Sequence, residues 1–182
     1  MELVNSISNN KIIKIIIFAL IGSILLTISA KIKIPFYPVP MTMQTFVVLF
    51  LGISLGYKIG LATIGLYLIE GIAGLPVFSN SPEKGIGLLY FTGPTMGYLI
   101  GFMVAVYLSG FFKFDNNFFK NFARLLFSVS FIYLLGLIWL GSLIGWEKPI
   151  FKLGAQPFLL AELFKISLLA LIVPKILRFR KI

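Results

Sequence analysis

The feature that most constrains this chain is an apolar stretch of 32 residues from Met41 to Ile72, interrupted only around Gly56–Lys58. As one α-helix it would be about 48 Å long at 1.5 Å per residue, whereas the hydrocarbon core of a bilayer is roughly 30 Å thick. We therefore predict a break at Gly56–Lys58 that divides the stretch into two short helices. Short helices in a bilayer protein often end where a cavity begins.

The rest of the chain indicates that this stretch lies in a membrane. Of the 182 residues, 59% are hydrophobic and only 12% are charged, whereas soluble domains average about 25% charged residues. The sequence thus predicts an all-α integral membrane protein, a compact bundle of six transmembrane helices in one domain, 1–182. We expect helices over 12–30, 41–55, 58–72, 88–112, 122–146 and 157–174. The fourth helix could be broken at Gly93-Pro94, and the sixth is expected to end near Pro174. No cationic signal region with a small-residue cleavage site precedes Ile12, so we expect the first helix to be retained.

Several functions are disfavoured by the residues that the sequence lacks. It has no cysteine and no histidine, which excludes disulfides and Cys-ligated metals and removes the commonest general base. It also has no glycine-rich phosphate loop and no pairing of a nucleophile with a base. We therefore expect neither an enzyme nor a bound cofactor or metal, and any ATP-driven work would need another subunit.

The net charge of +10 follows the ends of the apolar segments rather than forming a nucleic-acid-binding patch, so we expect no nucleic-acid partner. The two termini and the connections on the same side of the membrane hold ten Lys or Arg residues, and the three other loops hold five, when Lys165 inside the sixth helix is omitted. Cytoplasmic loops carry the excess of basic residues. Both termini are therefore predicted to be cytoplasmic, and the loops 31–40, 73–87 and 147–156 to face outward.

Two acidic residues lie within apolar sequence, where ionisable groups are costly and usually serve a function or find a partner. Glu162 and Lys165 are three residues apart and therefore share one face of the sixth helix. They are either a self-neutralising ion pair or a polar site for a ligand head group. Glu70 is expected at the membrane interface, because Gly71 and Gly74 end its helix.

Small residues recur at every fourth position in three helices, a pattern that lets helices approach closely in lipid. For two of these ladders we expect packing inside the bundle: Gly52, Gly56 and Gly60, and Gly93, Gly97, Gly101 and Ala105. The ladder of Ala19, Ser23 and Thr27 lies on the first helix. It could pack internally or dock another membrane protein, and the spacing does not decide between the two.

The motifs PFYPVPMTMQTF, GLPVF, GPTMGYLIGF and the PF…E..K pattern of the sixth helix together resemble the BioY family. This family comprises the biotin-binding S components of energy-coupling factor (ECF) transporters. The resemblance implies a multi-pass protein of a bacterial or archaeal plasma membrane that captures biotin from outside. It also implies two kinds of partner, a transmembrane coupling protein and two ATP-binding cassette ATPases, with Ala19, Ser23 and Thr27 contacting the coupling protein.

The resemblance also assigns a substrate site. The three prolines of the first motif are expected to hold the outer loop extended over the ligand, with Thr42 and Gln44 beneath it. Glu162 and Lys165 stand where the family usually has Asp and Lys, and Met96 replaces a glycine. A carboxylate such as Glu162 could accept from the two ureido N–H groups of biotin, while Asn80, Gln44 or Lys165 could donate to its carbonyl. Aromatic walls are expected from Phe36, Tyr37, Phe78, Tyr90 and Tyr98, and Lys84 or a backbone N–H could hold the ligand's carboxylate.

Two alternatives stay open. Glu162 and Met96 depart from the family pattern, which leaves room for an S component specific for another vitamin. A protein without its own nucleotide-binding sequence could also be a stand-alone vitamin facilitator that needs no ATPase.

Overall fold

A computed structural model describes residues 11–180, apart from the side chains of Phe179 and Arg180. It consists of α1 (Lys11–Lys31), two short strands β1 (Lys33–Ile34) and β2 (Met41–Thr42), α2 (Gln44–Ile72), α3 (Met96–Phe111), α4 (Phe118–Ile144), α5 (Ile150–Gly154) and α6 (Leu159–Arg180). Short 3₁₀ turns at Gly87–Thr92 and Gln156–Phe158 precede α3 and α6. The protein is helical as predicted, except for the two-residue strands.

The break predicted inside the longest apolar stretch is confirmed, and it is a reversal of the chain. Gly56 has φ 76° and ψ 168°, a conformation open almost only to glycine. Gln44 Nε2 donates to the Tyr67 hydroxyl at 2.8 Å, although a straight helix would separate these residues by about 35 Å. The two arms of α2, residues 44–55 and 57–72, therefore lie side by side as a helical hairpin.

The hairpin forms the centre of the bundle. α1 and α3 pack against α2, α4 packs against α3, and α6 contacts both α2 and α4. Four residues of the glycine ladders lie in these contacts as predicted, Gly52, Gly60, Gly97 and Gly101, whereas Gly56 forms the reversal and Gly93 precedes α3. A Cβ on Gly101 would come within 2.6 Å of Ile132 Cα on α4, and one on Gly52 would meet α3. Core side chains include Leu26, Ile64, Tyr67, Ile132 and Leu169.

Several predicted helix ends need correction. α4 begins at Phe118 rather than 122, because the Asn117 side chain accepts the Lys120 backbone N–H at 3.0 Å and caps the helix. α6 continues past Pro174, so the expected end there was wrong; a missing backbone hydrogen bond is tolerated in membrane helices when neighbours compensate. The fourth segment is interrupted at Gly93-Pro94, with α-helix only from Met96.

Within the described residues, four helical runs are long and apolar enough to cross a membrane: Lys11–Lys31, Gln44–Ile72, Phe118–Ile144 and Ile150–Arg178. α3 is shorter, and each arm of α2 is about 18–24 Å long. The structure thus supports a multi-pass protein of six principal helical segments. Six full crossings and the cytoplasmic location of both termini stay predictions, and residues 1–10 and 181–182 lie outside the described residues.

Candidate functional site

Two of the loops predicted to face outward, 31–40 and 73–87, contribute to the wall of a cavity at one end of the bundle. Together with its mouth, the cavity encloses about 550 Å³ of empty space. Its walls come from the β2 region, the start of α2, the 78–79 loop, α3, α4 and the start of α6. Its lining includes Val39, Thr42, Gln44, Thr45, Phe78, Ser79, Tyr90, Thr95, Tyr98, Phe102, Tyr133, Phe158 and Glu162.

A buried polar cluster forms one wall of the cavity. The Thr45 hydroxyl donates to Glu162 Oε1 at 2.8 Å, and Lys165 Nζ lies 2.6 Å from the same oxygen. Glu162 and Lys165 are only 5% and 6% exposed. Glu162 Oε2 is buried and has no hydrogen-bond partner among the described residues, although Tyr133 lies close to this carboxylate. A buried acceptor without a partner is costly in free energy.

Lys165 has a different place from the one expected. Its ammonium donates to Thr42 O at 2.7 Å, to Thr45 Oγ1 at 3.1 Å and to Glu162 Oε1. An ammonium has three N–H groups, and all three are used. Lys165 is also not among the residues that line the cavity. In this structure it orients Glu162 and Thr45 and leaves no donor for a ligand.

Gln44 lines the cavity as predicted and ties together the two arms of α2. One amide N–H is used by the Tyr67 hydroxyl, which in turn donates to Val77 O at 3.1 Å. The second N–H of the amide has no partner among the described residues. Thr42 Oγ1 accepts the Gln44 backbone N–H at 3.3 Å and also lines the cavity. Gln44 thus keeps one donor for a bound molecule.

Aromatic residues form much of the remaining wall. Phe78 stacks on Tyr90 with ring centroids 4.6 Å apart and meets Tyr67 edge to face at 5.2 Å. Tyr98 lines the cavity with its ring, while its hydroxyl donates to Gly154 O at 2.8 Å. Phe36 packs edge to face on Phe158 at 5.7 Å. Such walls suit a ring system with apolar faces.

Two lysines hold the 78–83 loop over the cavity. Lys31 Nζ donates to Phe78 O at 2.7 Å and to Ser81 O at 2.8 Å. Lys33 Nζ donates to Ser79 O at 2.8 Å and to Asn80 Oδ1 at 3.3 Å. Asn80 is therefore engaged by Lys33 and does not line the cavity, although its neighbour Ser79 does.

The first outer loop is bent rather than extended. β1 and β2 pair antiparallel, with Lys33 opposite Thr42, so the proline-rich residues between them form the tip of a hairpin. Val39 and Pro40 line the cavity. Tyr37 is 84% exposed at the tip and lies under Lys84 Nζ at 5.4 Å, so it does not form a cavity wall here.

The small-residue ladder of α1 faces this chain's own bundle. Ala19 and Ser23 are 5% and 1% exposed, and the Ser23 hydroxyl donates to the Glu70 carboxylate. Thr27 is partly buried and donates to Ser23 O at 3.0 Å. The alternative of internal packing thus describes Ala19 and Ser23 in this structure, and their contact with a partner stays a prediction.

Some cavity residues were missed by the sequence reasoning. Thr45 directly follows Gln44 and bridges Glu162 and Lys165, and Thr95, Phe102, Tyr133 and Phe158 complete the lining. Thr45, Thr95, Phe102 and Phe158 belong to the recognised motifs, so their positions offered a signal. Tyr133 lies in an otherwise apolar part of α4, and nothing in the sequence indicates that it faces the cavity.

Comparison with known proteins gives consistent matches. The model of the "BioY family" matches residues 4–181. A "Probable biotin transporter BioY" from Pyrococcus horikoshii is 33% identical over 152 residues, which cover 84% of this chain and 89% of that protein. A "Biotin transporter BioY" from Thermotoga maritima is 35% identical over 162 residues, 87% of this chain and 90% of that protein.

A solved structure, "Crystal structure at 2.1 A of the S-component for biotin from an ECF-type ABC transporter", is also similar. It superimposes with a TM-score of 0.77 at 27% identity, covering 93% of this chain and 94% of that chain.

Proposed function

The chain belongs to the BioY family, and from that premise we propose that it binds biotin as the substrate-specific subunit of an uptake transporter. It is a multi-pass membrane component of a transporter rather than an enzyme. We further propose that it lies in the plasma membrane with the cavity facing outward, and that it works with a coupling protein and two ATPases. Similarity to a solved S component from an ECF-type ABC transporter supports this partnership.

One observation carries the proposal: in the cavity wall, Glu162 Oε2 is a buried acceptor with no hydrogen-bond partner among the described residues. The ureido ring of biotin has two N–H donors and one carbonyl acceptor. A carboxylate only accepts, and because Thr45 and Lys165 hold Oε1, Oε2 would be the oxygen that accepts from a ligand N–H. Hydrogen bonds to an ionised group are stronger than those between neutral groups, so this contact would contribute much of the selectivity for a ureido ring.

The remaining groups fit the rest of the molecule. The free amide N–H of Gln44 and the Thr95 hydroxyl line the same cavity and can donate to the ureido carbonyl. The fused sulfur ring would lie against Phe78, Tyr90 and Phe158. The Lys84 ammonium lies over the Tyr37 ring at 5.4 Å and makes no ion pair or hydrogen bond within the described part of the chain, so it is a cation that could receive the ligand's carboxylate.

Binding of radiolabelled biotin to the purified full chain, with unlabelled competitors, tests the proposal. Desthiobiotin keeps the ureido ring and should compete, whereas lipoate keeps a sulfur ring and an acid chain without the ureido group and should not. Thiamine and riboflavin test whether another vitamin is bound. Competition by lipoate equal to that by desthiobiotin would show that the ureido group is not recognised. Absence of biotin binding would overturn the proposal that the chain binds biotin.

The need for partners is tested separately. Biotin uptake is measured in liposomes that contain the chain alone, or the chain with the coupling protein and ATPases, with and without ATP. We expect accumulation only with the complete set and ATP. Equal uptake by the chain alone would make it a stand-alone facilitator while leaving the binding assignment intact.

A further inference from the structure

The end of the bundle opposite the biotin cavity carries a second, larger groove. It lies between the last turn of α3, the following linker and the final turns of α6, and encloses about 1380 Å³ of empty space that is open to solvent. The helix reversal at Gly56 lies at the same end, because a Cβ on Gly110 would meet Tyr57 N within 2.3 Å. This groove therefore has no part in the site described above.

The groove presents positive charge that nothing neutralises in the described part of the chain. Lys113 and Arg178 line it from two different elements, and neither makes an ion pair or hydrogen bond with another described residue. The one acidic residue in the lining, Asp115, pairs with Arg124 at 3.5 Å and accepts the Asn117 backbone N–H at 2.7 Å. Its charge is thus already compensated, which leaves a net positive groove.

Most other lining residues are apolar. Phe111, Phe112, Phe114, Pro174 and Leu177 lie beside the two cations. The groove begins where α3 ends, which is where the phosphates of the adjoining leaflet would lie if α3 is embedded in a bilayer. Two free cations next to an apolar wall fit an amphiphile with an anionic head and a hydrocarbon tail.

We propose that this groove binds an anionic phospholipid, with its phosphate between Lys113 and Arg178 and an acyl chain along the phenylalanines. Juxtamembrane cations attract anionic lipid with about 1 kcal/mol each, which is about 5-fold in affinity per cation. The charge bias predicts that this end faces the cytoplasm, where anionic lipids are abundant. The lipid would fix the ends of α3 and α6 relative to each other.

The test uses the full chain in a neutral detergent, with phosphatidylglycerol binding measured by native mass spectrometry against phosphatidylcholine. We expect Lys113→Gln and Arg178→Gln each to weaken phosphatidylglycerol binding about 5-fold and the double variant about 25-fold. The control pair Lys120→Gln with Lys175→Gln removes the same charge at the same end, outside the groove lining, and should change binding less than about 2-fold. Equal losses in both pairs would make the attraction a general charge effect and overturn the site.

Two further measurements distinguish the possible sources of the phosphate and control for misfolding of the variants. Glycerol phosphate, which lacks tails, should not displace the lipid at matched concentration; full displacement would assign a free phosphate site instead. Asn116→Asp adds an anion to the lining at nearly constant size and should weaken lipid binding about 5-fold. Biotin binding by all these variants should stay at the wild-type level. Unchanged lipid binding in Asn116→Asp and in the double variant would refute the proposal. The same result is expected if the groove receives an acidic segment of a partner protein instead of a lipid.

Discussion

At the scale of single residues, the Glu162 carboxylate carries the sharpest prediction. In Glu162→Gln one acceptor oxygen becomes an N–H₂ donor while the size is kept, so the contact with a ureido N–H is weakened or lost. A hydrogen bond to a charged group contributes about 1.5–3 kcal/mol, which corresponds to about a 10- to 150-fold rise in the Kd for biotin. Titration of radiolabelled biotin measures it. Glu147→Gln, an exposed loop carboxylate, is the matched control and should bind as wild type.

Lys165 tests whether the buried pair serves the ligand or only the fold. Lys165→Met leaves Glu162 charged and buried without its partner, which costs about 3–5 kcal/mol, so both stability and biotin affinity should fall. The double variant, Glu162→Gln with Lys165→Met, removes both charges and should recover stability against unfolding. If Glu162 contacts biotin, the double variant still binds weakly. Wild-type affinity in the double variant would reduce the pair to a structural ion pair.

The surroundings of Lys165 also indicate how far the site could be predicted. The i to i+3 spacing places Glu162 and Lys165 on one helix face, and the structure confirms that they are neighbours. Spacing does not reveal that a carbonyl from another element, Thr42 O, and a hydroxyl, Thr45 Oγ1, would use the remaining donors. Contacts of this kind depend on the tertiary arrangement, so the motif identified the cluster without distinguishing its ligand-facing member.

At the scale of elements, the 78–83 loop is held by Lys31, and this predicts a kinetic effect. Lys31→Met removes two hydrogen bonds to backbone carbonyls without touching the cavity lining. The loop would open more often, and we expect biotin to dissociate about 10-fold faster, in line with the loss of at least one charged hydrogen bond. Chase of bound radiolabelled biotin measures the rate. Biotin should dissociate at the wild-type rate from Lys148→Met, which changes an exposed outer-loop lysine. A wild-type rate from Lys31→Met would mean that contacts other than those of Lys31 hold the loop.

The hairpin of α2 depends on one backbone conformation. Gly56→Ala places a Cβ at φ 76°, ψ 168°, which costs about 1–3 kcal/mol. Gly65→Ala in the same element meets nothing within 4 Å and should be neutral or slightly stabilising, because alanine is the better helix former. Unfolding in SDS, followed by tryptophan fluorescence, compares the two. Equal stability of the two variants would mean that the reversal does not require glycine.

The elements themselves were largely predictable from sequence, and their ends were not. A 32-residue apolar run around Gly56 cannot be one crossing on length alone, so its division followed from geometry. Whether Pro174 ends α6 depends on neighbours that compensate for the missing hydrogen bond. The bend of the proline-rich loop likewise depends on the pairing of Lys33 with Thr42, which proline content does not encode.

At the scale of the whole molecule, the grouping of basic residues predicts the orientation in the membrane. Lys31, Lys33 and Lys84 lie at the cavity end, whereas Lys58, Lys113 and Arg178 lie at the end with the groove. The connections at the groove end hold the larger share of Lys and Arg, so this end should be cytoplasmic. The cavity then opens outward, as capture of an external vitamin requires.

Single-cysteine labelling tests this orientation, since the chain has no cysteine of its own. Ser81 is only 5% exposed and would react poorly whichever side it faces, whereas the Glu83 side chain is 75% exposed. Asn10 and Lys181 lie outside the described residues, so the exposed linker residue Asn116 is the better reporter for the opposite end. An impermeant thiol reagent on intact cells should label Glu83→Cys and spare Asn116→Cys, and both should react once the cells are permeabilised. Labelling of Asn116→Cys alone in intact cells would show that the orientation is the reverse of the predicted one. The cavity would then face the cytoplasm and the cationic groove would lie at the outer leaflet. Both the capture of external biotin and the cytoplasmic lipid contact would be wrong.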